Sequence, residues 1–148
     1  MTSIERHRSA ADAGFVSILF AVGLSAIMAI MALSVDFGGR LRSAARAQAI
    51  AESAARAGAQ DLALSTAITG QSDEIDPDQG PKDACAYAVG LGVAKTDCAA
   101  QVSPTDGQTI TVTVSLQYTP TFLSLFIPID QKKFRVTGTA TAQLIAGP

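Results

Sequence analysis

Residues 14–35 read GFVSILFAVGLSAIMAIMALSV, 22 positions without a charged side chain. At 1.5 Å rise per residue, a helix of this length covers about 33 Å, enough to cross a hydrocarbon core of about 30 Å. Thirteen of the 22 are Phe, Val, Ile, Leu or Met, and the rest are Gly, Ala or Ser, so nothing in the run opposes insertion. A buried core helix is one alternative, but no other stretch of the chain is bulky enough to surround it. A cleaved signal peptide is another. Its apolar region spans about 7–15 residues, shorter than this run, although Ala32-Leu33-Ser34 imitates a cleavage site. The run predicts a single transmembrane helix over 14–36 behind a short cytoplasmic leader, residues 1–13.

The composition of the 148-residue chain agrees: 48% hydrophobic, 5% aromatic, no Trp, and only 16% charged, against about 25% in an average soluble protein. The net charge of −2 divides unevenly, with six Arg against four acids before residue 61 and five basic against nine acidic groups after it. No basic patch points to nucleic acid. The balance describes a membrane-attached protein with an acidic outer part.

Ser17, Ala21, Ser25 and Ala29 recur every four residues along the apolar run. Small residues at this spacing let membrane helices approach closely, although such residues are common in any spanning helix. Asp36 ends the run and Gly38-Gly39 follow. Each glycine weakens a helix by about 1 kcal/mol, which predicts a bend or break there. Residues 41–68 then read as an alanine-rich helix within an extracytoplasmic segment, 37–69. Ala47, Ala51, Ala54, Gly58 and Leu62 share one face of it, and Glu52 and Arg56 pair at i and i+4 on another.

Residues 70–83, GQSDEIDPDQGPKD, form an acidic loop rich in Gly and Pro. Its carboxylates read as a solvated surface, since their spacing does not match the calcium loop of an EF-hand. Residues 84–148 complete the chain as a small α/β region. A short helix over 84–91 carries Cys85, a strand is expected over 99–103, and Pro104-Thr105-Asp106-Gly107 turns the chain. Residues 109–118 alternate apolar Ile110, Val112, Val114, Leu116 and Tyr118 with polar neighbours, and 134–144 repeat the pattern. This period of two marks antiparallel strands with one wet face. The stretch FLSLFIP over 122–128 is the most apolar outside the run, either core or a contact patch for a partner or the bilayer. The expected fold class is α+β: a long N-terminal transmembrane helix continuing into an alanine-rich helix, packed on a small three-stranded antiparallel sheet.

Orientation rests on two opposed signals. Arg6 and Arg8 precede the span, while Arg40, Arg42 and Arg46 follow it, so the positive-inside count does not place the N-terminus in the cytoplasm. Cys85 and Cys98, the only cysteines, both lie beyond the span. An even pair in an exported region reads as a disulfide closing a short loop, with two separate buried thiols as the alternative. The cysteines decide the expectation: a single membrane pass with the N-terminus inside and the C-terminal part outside. No catalytic constellation is visible. The one histidine, His7, precedes the span, so neither a histidine-based triad nor a histidine metal site is available beyond it. No phosphate-binding glycine motif occurs either, and the chain is expected to be a non-enzyme without a cofactor or metal.

Residues 12–60 resemble the N-terminal region of TadE/TadG-like proteins of the tight-adherence (Flp) pilus assembly system. Ala13-Gly14 open the apolar run, Val35-Asp36-Phe37-Gly38-Gly39-Arg40 close it, and an alanine-rich helix follows through ARAQAIAESAARAGA, residues 45–59. The later part, with a cysteine-bearing short helix and Thr/Val strands ending in Thr-Ala-Thr-Ala-Gln, is similar in a looser way. The resemblance implies a pseudopilin or minor pilin-like component whose partners are other pilus-assembly subunits, the membrane and a prepilin peptidase acting at Gly14-Phe15. It also implies Asp36, Gly38 and Gly39 as a boundary motif. Many pilins carry a glutamate at the fifth position after the cut; here that position is Leu19, and no acid occurs from Phe15 to Val35. Without that carboxylate the pairing it would make in the membrane is lost. The sequence therefore resembles TadG-like members more than TadE-like ones and is disfavoured as a major filament subunit. A membrane-anchored extracytoplasmic binding or adhesin module is the alternative function, with its activity in the acidic loop and the 122–128 patch.

Overall fold

The structure, a computed structural model, describes residues 3–61, 74–122 and 134–144, with side chains from residue 14 onward. The chain divides into two compact units: Met1–Gly38 with Pro120–Pro128, and Gly39–Thr119 with Ile129–Pro148. Helix α1 runs from Ser3 to Gly58, α2 from Gln79 to Gly90, and a 3-10 turn from Lys95 to Asp97. The strands are β1 (Cys98–Val102), β2 (Thr109–Gln117) and β3 (Arg135–Gln143). They form one antiparallel sheet in the order β1-β2-β3. The fold is α+β, with one N-terminal helix long and apolar enough to cross a membrane.

In the first unit, the apolar part of α1 leaves its large side chains uncovered. Phe15, Phe20, Ile27, Met28 and Leu33 are all more than half exposed, as expected of a surface whose solvent is lipid. Its hydroxyls bond inward to the helix: Ser25 Oγ donates to the Val22 carbonyl at 2.8 Å and Ser34 Oγ to that of Ile30 at 2.8 Å. These bonds to the preceding turn satisfy the hydroxyl protons of Ser25 and Ser34, as hydrocarbon surroundings require.

The second unit holds the core. Inward residues of β2, Ile110, Val112 and Val114, are fully buried with Ile75 and supply the largest side chains. Ala47, Ile50, Ala51, Ala54 and Ala55 of α1 and Ala84 and Ala88 of α2 pack over them. The strand registers follow the predicted alternation, pairing Val112 with Ala100 on one side and with Ala140 on the other. Gly107, at φ +64°, supplies the left-handed residue that the β1–β2 turn needs.

Three expectations change. No break occurs at Gly38-Gly39; α1 continues through both. A local preference of about 1 kcal/mol per glycine does not outweigh the helical hydrogen bonds on either side, and at Gly39 the missing side chain makes room for Tyr118. The alanine-rich stretch also stops earlier than residue 68. Gly58 closes the helix, and the N–H groups of Gln60 and Asp61 donate to the carbonyls of Ala57 and Gly58. Residues 62–73, including Leu62 and the first part of the acidic loop, lie outside the described residues, as do 123–133. Helix α2 begins five residues before the expected 84, at Gln79, because Asp76 caps it.

The helix–sheet seam is built on glycine. A β-carbon at Gly138 of β3 would overlap backbone atoms of Ala47 and Gln48, whereas one at Gly38 would meet nothing within 4 Å. Backbone cannot step aside as a flexible side chain can. Gly138→Ala is therefore expected to destabilise the protein by about 1–3 kcal/mol or more through overpacking. Gly38→Ala should stabilise it by up to about 1 kcal/mol through helix propensity. Thermal unfolding of both full-length variants in detergent checks the opposite signs.

Candidate functional site

The boundary motif contains the most unusual side chain in the structure. Asp36 is the one buried charged residue among the described residues, at 8% exposure. Its Oδ1 accepts the backbone N–H of Thr121 at 2.8 Å and of Phe122 at 3.1 Å. A carboxylate placed where the apolar run ends thus holds a turn 85 residues further along the chain. Charge-assisted bonds to amides are the kind that offset desolvation of a carboxylate. Gly38 is open, while a β-carbon at Gly39 would come within 2.7 Å of Tyr118 Oη. The three motif residues therefore have separate tasks: a turn anchor, an unconstrained helix position and a seat for an aromatic ring.

The small-residue row divides in the same way. Ser17, Ala21, Ser25 and Ala29 are all exposed on α1. Ser25 and Ala29 join Met28, Ala32, Val35 and Phe122 in lining an apolar groove; Ser17 and Ala21 do not. Gly14 and Phe15 are both helical, Gly14 with open space around it and Phe15 65% exposed.

Beyond the boundary, Cys85 on α2 and Cys98 at the start of β1 form a disulfide with their Cα atoms 5.8 Å apart. Of the acidic loop, Asp76 serves the backbone: its Oδ1 accepts the N–H groups of Asp78 at 2.8 Å and Gln79 at 2.9 Å. These bonds pull its pKa below the ordinary aspartate value. Among the described residues, no group of three His, Cys, Asp or Glu is placed to hold a metal ion.

Two features escaped the sequence. Gln48 is a polar residue on the alanine helix, one turn before Glu52, yet its amide clamps the open edge of β3. Its Nε2 donates to the Thr139 carbonyl at 3.0 Å, and the Thr139 N–H donates to its Oε1 at 3.2 Å. The second is a carboxyl pair, Asp61 with Asp83. Desolvation raises the Asp61 pKa first, followed by its hydrogen bond with the Asp83 carboxyl and repulsion from Asp83 and Asp76. Its Oδ2 is enclosed without a hydrogen-bond partner. Only the closeness of 61 to 76 and 83 in the fold reveals the pair, and no spacing rule supplies it.

The arrangement defines a class: a protein with an apolar N-terminal helix long enough to cross a membrane, whose continuation packs, through alanine and glycine, on a disulfide-tied sheet. Residues 14–61 match the family model described as putative Flp pilus-assembly TadE/G-like. The match lies in the N-terminal third of the chain, over the residues that carry the resemblance read from the sequence. The match begins at Gly14 and ends three residues after α1, so it covers the apolar run, the boundary motif and the alanine helix together. Comparison with curated proteins and with solved structures gave no match.

Two outcomes follow from the clamp and the carboxyl pair. Gln48→Leu leaves the Thr139 amide and carbonyl without their protein partner and should cost about 1 kcal/mol, read as a lower unfolding temperature than that of Glu52→Gln. For Asp61 the folded pKa lies above the unfolded one, so the native state holds the extra proton and stability falls as pH rises through the folded value. The penalty is complete above that value and absent below the ordinary aspartate pKa. Asp61→Asn should therefore melt higher than the wild type at neutral pH, the difference closing as pH falls to the ordinary aspartate range. A difference that persists unchanged in acid would contradict the assignment.

Proposed function

We propose that this protein is a non-catalytic structural component of Flp-type pilus assembly, held in the bacterial cytoplasmic membrane by one pass of α1 with its sheet-bearing part outside. The observation that carries the reading is the family match over residues 14–61, which coincides with the apolar and alanine-rich parts of one helix. The Cys85–Cys98 disulfide supports an extracytoplasmic position, where oxidised cysteines persist. Its partners are other pilus-assembly subunits. They meet the exposed row of Ser17, Ala21, Ser25 and Ala29 within the membrane, where close packing and not hydrophobicity drives helix association. Outside, they meet the sheet. A prepilin peptidase cutting at Gly14-Phe15 would turn the chain into a subunit that starts at the apolar run. The Leu19 departure favours a minor or accessory subunit over a filament builder.

Deleting the gene in its own host and restoring it on a plasmid tests the reading through the filaments recovered from sheared cells. Deletion should abolish or strongly reduce them. The variant with Ser17, Ala21, Ser25 and Ala29 all changed to leucine should accumulate in membranes yet fail to restore them. Normal filaments without the gene would overturn the proposal. Intact mass of the non-reduced protein adds the processing state: a chain starting at Phe15 in sheared material marks a processed pilin, and a full-length chain confined to membranes marks an assembly factor. A mass two hydrogens below the reduced form reports the disulfide.

A further inference from the structure

We propose that the turn held by Asp36 is a second membrane-contacting element, with the Phe122 ring meeting lipid acyl chains beside α1. The proposal rests on the reading of α1 as a spanning helix.

Four observations lead there. The residues that line the groove with Phe122, among them Ser25, Met28, Ala29, Ala32 and Val35, all belong to the uncharged run 14–35. Phe122 thus sits at the depth of the span. Its ring is only partly covered by the groove, at 41% exposure, so the remaining face meets whatever bathes the span. Secondly, irregular backbone at that depth is costly unless its N–H groups are bonded within the protein, because lipid offers no acceptor. The Asp36 carboxylate accepts the two amides of the turn at 2.8 and 3.1 Å. Thirdly, a carboxylate near hydrocarbon is itself costly unless partnered, and its burial to 8% exposure is sustained by those same amides. Each group removes the cost of the other, which gives a reason for an acid at the end of an apolar run. Lastly, the sequence continues from Phe122 as LSLFIPI before Asp130-Gln131-Lys132-Lys133. The residues that follow Phe122 in sequence thus bring no charge until Asp130. The surface offered to lipid is continuous with that of α1, not separate from it.

The absence of Trp from the chain makes a clean test possible. Full-length Phe122→Trp and Phe20→Trp proteins are reconstituted in phosphatidylcholine vesicles, plain or brominated on the acyl chains, and Trp emission is read with and without iodide in the water. Both variants should lose most of their emission in brominated lipid and resist iodide. Quenching of Phe20→Trp alone, with Phe122→Trp open to iodide or buried away from both quenchers, would overturn the proposal and leave the spanning helix standing. Failure of Phe20→Trp to be quenched would overturn the spanning helix, and the proposal with it. In the Phe122→Trp background, Asp36→Ala should release the turn and shift quenching from brominated lipid towards iodide. Unchanged lipid quenching there would overturn the role given to Asp36.

Discussion

The contact on which the second unit depends is the approach of β3 to α1 at Gly138, so close that a single methyl group would meet the helix backbone at Ala47 and Gln48. Close approach dictates the composition on both sides. The helix presents Ala47, Ala51, Ala54 and Ala55 because any longer side chain would lift it from the sheet, and all four are fully buried. The same constraint returns at the end of the helix, where a β-carbon on Gly58 would collide with the Gly80 carbonyl, Ala84 and Ile110. An alanine buries little area, so hydrophobic stabilisation at about 25 cal/mol per Å² has to come from elsewhere. Ile75, Ile110, Val112 and Val114 supply it. Alanine and glycine set the spacing, and four branched side chains fill it.

Bringing backbone to backbone also solves a problem that a three-stranded sheet poses. β3 is an edge strand, and edge strands offer unpaired amides to any other chain. Thr139 pairs with Thr113 across the sheet, their hydroxyls 3.4 Å apart, while its own N–H and C=O point the other way to Gln48. A glutamine amide carries one donor face and one acceptor, the same pair a neighbouring strand would bring. It reaches Thr139 only because Gly138 lets the helix come down to the strand. The clamp is thus a consequence of the glycine, and a bulkier residue at 138 would disturb both.

What could be read from the sequence and what could not divide along the range of the interaction. The apolar run and the strands over 109–118 and 134–144 announce themselves through local composition and periodicity: the run lies wholly within α1, and the strands end within a residue of their expected bounds. Gly38-Gly39 misled because propensity measures a residue against water and its own helix, whereas Gly39 answers to Tyr118 across space. Gln48 looked like any polar residue on a wet face, and Gly138 like a gap in a strand, until each was seen against the other. Asp36 was recognisable as a boundary, but its partner amides, far along the chain, leave no trace in spacing or composition.

The aspartates show how far environment, and not residue type, sets chemistry in this chain. Asp76 and Asp106 accept hydrogen bonds from nearby backbone and hydroxyl groups, and both are held below the ordinary carboxylate range. Asp61 meets desolvation and another carboxyl, and is driven above it. Asp36 is buried among donors at the end of the apolar run. Sequence counting gives all of them the same unit charge. Donors tie three of them into local structure, at the start of α2, the β1–β2 turn and the turn at 121–122, and the fourth works against the fold at neutral pH. An acidic outer part is therefore not a uniform negative surface offered to a cation or a basic partner. Part of that charge, at Asp76 and Asp106, is engaged in holding a helix start and a turn, which is why the proposed assembly role assigns partner contacts to helix and sheet surfaces and not to the acidic groups.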